Sequence, residues 1–378
     1  MNVLFVFNTP LDVCAGGVER VTDSVMKGLR ENEIQSFYLE DSGTELFCEG
    51  RPVSVEKFFS KNSINVVVQQ LAYDGVIARY LREKEKRIPY IVAWHTAPPT
   101  WKKSWRVATT KSFGDGISQI RRLLRIALYP CFYLKELRRF QNRWKKILPR
   151  ASKILLLSSA FETDFQRILG VSAIRLYSIP NPLSFTEIAK PDILAYKQKE
   201  VLVVARMKEQ SKRISLVLRI WQLVEKNAIS SDWVLHIVGD GENLPAYQKL
   251  AKQLKLKQVQ FLGNQKPIPF YKTAALFMMT SAFEGWGLTL TESQQFGVVP
   301  VAFDSYASIR DIVDDGKNGF LVPFGNVKKF ARKITWLMEN SEIRSRIALN
   351  CLKSASRFEI SKIIPRWKSL LKDACEGR

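Results

Sequence analysis

Histidine and paired cysteine are what this chain has least of. Two histidines, His95 and His236, stand in 378 residues, and the five cysteines, Cys14, Cys48, Cys131, Cys351 and Cys375, are scattered without C-x-x-C spacing. That scarcity argues against a zinc site or a disulfide framework and for a reducing compartment. No apolar run approaches the roughly 20 residues needed to span a bilayer. Residues 1–6 are too short for a secretory signal and lack its basic lead, so the expected location is cytoplasmic. No repeat and no low-complexity tract is found, which removes solenoids and disordered arrays.

Acidic residues are also in deficit. Fifty-eight Lys and Arg stand against 36 Asp and Glu, a net charge of +22. Residues 101–150 carry fourteen basic side chains against two acidic ones, so over half of the excess sits in about an eighth of the chain. A uniformly basic surface would suit nucleic acid, whereas a concentrated block suits one docking face for an anionic partner. From Ile120 the apolar positions Leu123, Leu124, Ala127 and Leu128 fall at helical spacing. Pro130 interrupts, and Leu134, Leu137, Phe140, Trp144 and Leu148 continue the stripe between Arg121, Arg122, Arg125, Lys135, Arg138, Arg139, Arg143, Lys145 and Lys146. A basic amphipathic helix bearing Trp and Phe, with Trp101, Lys102, Lys103 and Trp105 before it, reads as an interfacial anchor on anionic lipid. The other reading is a helix packed on a sheet with a solvated basic face.

What the chain does contain is apolar runs in alternation with helical patterns. With 46% hydrophobic residues over 378 positions it exceeds one ordinary core, so two domains are expected. Buried strands are predicted at 3–7, 35–39, 65–69, 90–94, 153–159 and 174–179. In the second half they fall at 199–205, 233–238, 259–263, 274–279 and 298–303, and helices such as 74–84 and 214–224 lie between strands. That order predicts two largely parallel α/β sheets. Pro180, Asn181, Pro182 and Leu183 break regular structure and mark a linker ending near Pro191. A last amphipathic helix is predicted at 363–374, with Pro365 in its first turn. His236 lies inside a strand and reads as a packing residue.

The stretch around Glu284 has the most chemical content. A buried strand ends at Met279, and Glu284-Gly285-Trp286-Gly287-Leu288 leads into a helix carrying Glu292. Glycines allow close backbone approach and a helix N-terminus presents N–H groups to an anion, so this is a phosphate cradle between two carboxylates. Upstream, Gly16-Gly17 after the first strand is a second such junction. Arg206 ends the strand at 199–205, with Lys208, Lys212 and Arg213 close behind, where cations can neutralise a leaving diphosphate. Which of the last three reaches the phosphate stays open. His95 follows its strand at the end where doubly wound sheets bind ligands.

Glu284 and Glu292, with seven residues between them, resemble the E-x7-E signature of the retaining glycosyltransferases of family four. Gly297, Pro300 and the run from Asp314 to Val322 follow in the family's order. The departures are Ser293, Gln294 and Gln295, where small residues are usual. The resemblance implies a GT-B fold: two Rossmann-like domains with parallel sheets facing across a cleft, divided as 1–183, 184–359 and a helix 360–378 that crosses back to the first domain. It implies transfer of a hexosyl unit from a nucleotide sugar, UDP- or GDP-linked, with Glu284, Arg206, Lys212 and His95 catalytic. Gly16, Gly17, Gly239, Gly241, Gly285, Trp286, Gly287, Leu288 and Glu292 would hold the donor, with Glu292 on the ribose. The absence of an Asp-x-Asp motif agrees with the family's metal independence, and no cofactor is expected. Within the family, the chain resembles the bacterial surface-polysaccharide and lipopolysaccharide glycosyltransferases. The expected acceptor is a glycan or lipid-linked glycan at the inner membrane face, with segment 101–150 holding the anionic surface. The alternatives are a same-fold transferase with a soluble acceptor, and a basic nucleic-acid-binding protein, which the carboxylate pair disfavours.

Overall fold

The computed structural model describes residues 1–13, 16–83, 88–100, 105 and 126–377. The chain forms two compact units, one built from Met1–Pro99, Leu134–Ser184 and Phe358–Arg378, the other from Thr100–Tyr133 and Phe185–Arg357.

The first unit holds an eight-stranded sheet. Its strands are β1 (Asn2–Phe7), β2 (Gln35–Asp41), β3 (Leu46–Cys48), β4 (Arg51–Pro52), β5 (Val66–Gln70), β6 (Tyr90–Trp94), β7 (Lys153–Leu156) and β8 (Leu176–Ser178), in the spatial order β4-β3-β2-β1-β5-β6-β7-β8. β1, β5 and β6 are apolar almost without interruption, as strands covered on both faces must be. Pairing is parallel from β2 to β8, with Phe5 opposite Tyr38 and Leu4 opposite Val67. The hairpin β3–β4 adds an antiparallel edge. Strand order reverses between β1 and β5, so the loops after those strands flank a switch point, where open α/β sheets take ligands.

The helix Ile360–Cys375 buries Ile363, Ile364, Trp367, Leu370 and Leu371 in this unit. It approaches the helix Gly17–Arg30 so closely that a side chain at Gly28 would stand 2.7 Å from Ile364. Because the helix begins at Ile360, Pro365 falls in the second turn, not the first as expected, and removes one backbone hydrogen bond there.

The basic segment divides in two. Trp101, Lys102, Lys103, Ile120, Arg121, Arg122, Leu123, Leu124 and Arg125 lie outside the described residues. The helix Tyr129–Lys145 has Pro130 in its first turn, where proline starts a helix and does not interrupt it. Phe140 and Trp144 pack with Trp94 and Phe165 in the core, so they are not the interfacial anchors expected of them. Trp105, Leu128, Phe132 and Leu134 are large apolar side chains left exposed in the described part of the segment, the last three near exposed Lys135, Arg138 and Arg139 in sequence. No helix among the described residues is long and apolar enough to cross a membrane.

The second unit is a six-stranded parallel sheet. Its strands are β9 (Gln198–Val204), β10 (Val234–Val238), β11 (Val259–Gly263), β12 (Ala274–Met279), β13 (Val299–Asp304) and β14 (Phe320–Pro323), ordered β11-β10-β9-β12-β13-β14. The helix Ile214–Val224 buries Val217, Ile220 and Trp221 on one side, and the helix Val327–Glu339 contributes Phe330 and Ile334. Each such side chain contributes about 1.5–3 kcal/mol by leaving water. His236, inside β10, stands edge-on to Phe270 and near Glu200, a packing position. The order reverses between β9 and β12, and the loops leaving these two strands carry most of the residues singled out above.

Candidate active site

β9 delivers Arg206, exposed, two residues past its end at Val204, and the chain then turns into the single helical turn Glu209–Lys212. Two glycines shape this turn. Gly239 has φ +130°, and a side chain there would stand 2.0 Å from the carbonyl oxygen of Ala205; at Gly241, φ +149°, it would stand 3.0 Å from the carbonyl oxygen of Met207. Met207 N–H donates to the Asp240 carbonyl at 2.8 Å. Gly239 and Gly241 therefore act here as the floor on which the Arg206 loop rests.

Glu209 fixes the far side of that loop. Its buried carboxylate accepts from the Ser215 hydroxyl at 2.6 Å and the Tyr247 hydroxyl at 3.0 Å, and burial raises its pKa. Arg213, in the left-handed region at φ 56°, is buried with its pKa lowered by desolvation and opposed by the nearby Glu209 charge. Lys208 is exposed. Of the three cations left open by the sequence, Lys212 is the one whose ammonium donates to Glu284.

The loop after β12 meets the β9 loop through main-chain bonds. Ala282 N–H donates to the Ser211 carbonyl at 2.7 Å, and the Thr280 hydroxyl donates to the carbonyls of Lys212 and Arg213 at 2.9 and 3.1 Å. Glu284 and Lys212 thus come together from positions 72 residues apart, their side chains 16% and 23% exposed, shielded enough for the pair to matter electrostatically.

Residues 285–288 turn into the helix Leu288–Gln295. Gly287 is its N-cap at φ +104° with no side-chain cap, so the first N–H groups are presented as at other anion sites. The Gly285 carbonyl accepts from the Ser308 hydroxyl at 2.9 Å, and the Ser281 carbonyl accepts from Ser305 at 2.6 Å. The Tyr306 hydroxyl lies 2.5 Å from where a side chain at Gly287 would begin. The loop after β13 therefore braces the Glu284 loop at three points. Trp286 is buried, which leaves its main chain as the part able to meet a ligand, and Leu288 is half-buried.

Glu292 sits deeper than a surface-facing ligand contact requires. It is 2% exposed, and one carboxylate oxygen accepts from the Tyr271 hydroxyl at 2.9 Å. Tyr271 is itself buried, stacked on Phe296 at 6.0 Å, while Lys197 donates to its carbonyl at 2.7 Å. Burial lowers the Lys197 amine to a pKa of about 7.

In the first unit, Gly16 is extended and caps the helix Gly17–Arg30. The Glu19 carboxylate folds back over it: one oxygen accepts from the Thr9 hydroxyl at 3.2 Å and the other would touch any side chain placed at Gly16. The anion position at this helix N-terminus is thus held by the chain's own carboxylate. His95 directly follows β6, and its Nε2 hydrogen-bonds the Gln70 side chain at the end of β5. Burial pushes its pKa down to about 4, so the imidazole is neutral at pH 7 and a weak base. The described residues hold no cluster of three or more metal-ligating side chains.

Tyr271, Ser305, Tyr306, Ser308, Thr280 and Glu209 were not singled out in the sequence. The serines and Tyr306 carried one usable signal, their place just after β13, beside the strand that bears Glu284.

Two α/β sheets, parallel but for the β3–β4 edge of the first, place the chain in the class of proteins with the GT-B fold, and cations, a carboxylate and a helix N-terminus gather at the switch point of the second sheet. Within that class, residues 185–353 match the family described as Glycosyl transferases group 1. An uncharacterized glycosyltransferase of Haemophilus influenzae is 28% identical over 221 residues, 58% of this chain and 61% of that protein. A Campylobacter jejuni GalNAc-alpha-(1->4)-GalNAc-alpha-(1->3)-diNAcBac-PP-undecaprenol alpha-1,4-N-acetyl-D-galactosaminyltransferase is 26% identical over 224 residues, 59% of this chain and 60% of that one. The matched stretch spans 61%, 50% and 45% of the length of three of these curated relatives and as little as 24% of another. Among solved structures, a mutant of S. aureus TarM in complex with Fondaparinux, alpha-GlcNAc-glycerol and UDP aligns with a TM-score of 0.69 at 14% identity, over 98% of this chain and 100% of that one. At that identity the likeness concerns the fold.

Proposed function

We propose that this protein is a retaining glycosyltransferase of family four that moves a hexosyl unit from a UDP- or GDP-sugar to a hydroxyl of a glycan, lipid-linked in bacterial surface-polysaccharide or lipopolysaccharide synthesis. The observation that carries the reading is the Lys212–Glu284 pair at the β9/β12 switch point, beside the uncapped N-terminus of the helix Leu288–Gln295. The similarity of residues 185–353 to group 1 glycosyltransferases supports it, as does the undecaprenol-linked acceptor in the name of the C. jejuni relative.

In this reading the chemistry is positioning and charge stabilisation. Arg206 and Lys212 neutralise the diphosphate as the glycosidic bond breaks, and the N–H groups at 287–289 receive a phosphate oxygen. Glu284 holds Lys212 until the donor arrives and then contacts the sugar. Glu292, oriented by Tyr271, takes the ribose hydroxyls. Gly16 and Gly17 serve the donor phosphate once Glu19 moves aside, and neutral His95 serves as a hydrogen-bond partner of the sugar.

Exposed Leu128, Phe132 and Leu134 beside Lys135, Arg138 and Arg139 support peripheral attachment to the inner face of a cytoplasmic membrane, where each cation contributes about 1 kcal/mol on anionic lipid. Flotation tests this part: preference for anionic over neutral vesicles is expected, and equal recovery removes it. For the enzyme reading, purified protein is screened for thermal stabilisation by UDP-, GDP- and ADP-sugars. A donor at 100 times its Kd adds about 2.7 kcal/mol. If no nucleotide sugar stabilises the protein, the reading fails.

A further inference from the structure

A large groove lies far from the Glu284 loop in sequence and wholly within the first unit. It occupies about 1160 Å³ between the helix Gly17–Arg30, the outer edge of β2 and the helix Val55–Asn62. One end is at Pro10 and Leu11, which follow β1 on the ligand side of the sheet; the other reaches Arg30 and Asn62. The hairpin β3–β4 covers β2 only at Glu40 and Asp41, which leaves the earlier part of the strand as the groove's floor.

That floor is aromatic. Phe37, Tyr38, Phe47 and Phe58 line it with partly exposed rings; Phe37 and Phe58 meet edge-on at 6.1 Å, and the Tyr38 hydroxyl is tied to the Thr9 carbonyl at 2.6 Å. Lys57 and Lys61, one helical turn apart on the rim, are exposed, and among the described residues neither has a carboxylate partner; with Arg30 they make three cations in the lining against two carboxylates, Glu40 and Glu49, so the groove keeps an excess of positive charge. Partly exposed rings and exposed ammonium groups in one groove suit a ligand that combines flat apolar surface with negative charge. A sugar ring bearing a carboxylate or phosphate has that character. An acyl chain would leave the lysines and the polar rim residues Gln35, Ser54 and Asn62 without a role.

We propose that this groove is a distal subsite for an anionic oligosaccharide, holding the part of the acceptor glycan remote from the reacting hydroxyl. The proposal rests on the transferase reading for what the glycan is doing, and the test separates the two. Hexagalacturonate and the neutral maltohexaose are titrated calorimetrically into the full chain. The same titrations are run on Lys57→Glu/Lys61→Glu, on Phe58→Ala, and on Lys328→Glu/Lys329→Glu, which makes an equal charge change at exposed positions of the other unit.

Hexagalacturonate is expected to bind the parent at least tenfold more tightly than maltohexaose. Reversal at Lys57 and Lys61 is expected to weaken it at least tenfold, about 1.4 kcal/mol, and reversal at Lys328 and Lys329 less than threefold. Phe58→Ala is expected to weaken both sugars. Stabilisation by a nucleotide sugar stays unchanged in every variant, so a donor-binding failure shows up separately as failure of the transferase reading. Absence of hexagalacturonate binding overturns the proposal, as do equal losses in the two charge-reversed variants. Loss of binding to anionic vesicles, in place of the oligosaccharide, upon reversal at Lys57 and Lys61 also overturns it. Should the Glu variants fold poorly, Lys57→Gln/Lys61→Gln gives the same comparison.

Discussion

Tyr271 and Glu292 form a buried couple: the phenol donates to the carboxylate at 2.9 Å, and neither residue reaches the surface to any extent. Tyr271 is held by the stack on Phe296 and by Lys197 at its carbonyl, so the carboxylate's position is set from behind. Tyr271→Phe keeps the ring and removes the donor. A buried acceptor that loses a partner costs about 1–3 kcal/mol. The expected result is a lower Tm, together with a raised KM for the nucleotide sugar and little change in kcat. A fall in kcat at unchanged KM would contradict an orienting role in donor binding.

The Lys212–Glu284 pair makes a second prediction. If the proposed function holds, Lys212→Ala removes a cation from the diphosphate in a shielded site, and kcat/KM is expected to fall by about 10²–10³, the range for removing one electrostatic stabiliser. Breaking a half-buried pair also leaves Glu284 without its ammonium, so a moderate Tm loss accompanies it. Lys208→Ala, on an exposed side chain of the same loop, is expected to change kcat/KM less than threefold. Steady-state kinetics on the two variants decide which cation acts; similar losses in both would reassign the role.

Much of this was legible in the sequence, for reasons that differ by element. Strands such as Tyr90–Trp94 and Ala274–Met279 are covered on both faces and so appear as unbroken apolar runs, bounded where they end in the structure. The helix Ile214–Val224 carried its full 3.6-residue stripe. The hairpin β3–β4 and the helix Val55–Asn62 were missed because three-residue and two-residue strands have no period to read, and that helix buries only Val55 and Phe59. At the site, Glu284, Gly285 and Gly287 were visible because one loop carries them all. Tyr271 and Ser308 act through contacts that only the folded chain makes. The expectation for Phe140 and Trp144 failed because an amphipathic stripe says that a face is covered but not by what, and here the cover is Trp94 and Phe165.

Gly287 links backbone strain to a neighbouring side chain. At φ +104° an L-residue is strained, and a methyl group there would stand 2.5 Å from the Tyr306 hydroxyl. Gly287→Ala is expected to destabilise by about 1–3 kcal/mol, from the backbone alone or more. Tyr306→Phe removes the colliding oxygen and leaves the φ problem. In the double variant, part of the loss should return, and the coupling measured in a thermal-unfolding cycle should be positive and near 1 kcal/mol. Strict additivity would show that Tyr306 does not brace this turn.

His95 makes stability depend on pH in a window set by its own shift. Burial lowers its pKa from 6.5 to about 4, so between those values the unfolded chain binds a proton that the folded protein refuses. Above pH 6.5 both forms are neutral and the contribution is constant. As pH falls from 6.5 to 4 stability is lost, by about 3 kcal/mol at 1.36 kcal/mol per unit, and below 4 the loss is complete. Carboxylates titrate in the same region, so the measurement is the difference between parent and His95→Gln, followed by denaturant unfolding at successive pH values. The parent should fall relative to the variant across pH 6.5–4 and run parallel to it above. A difference that opens instead above pH 7 would mean that the imidazole is held charged, with Nε2–H donating to the Gln70 side-chain oxygen and Nδ1 protonated as well.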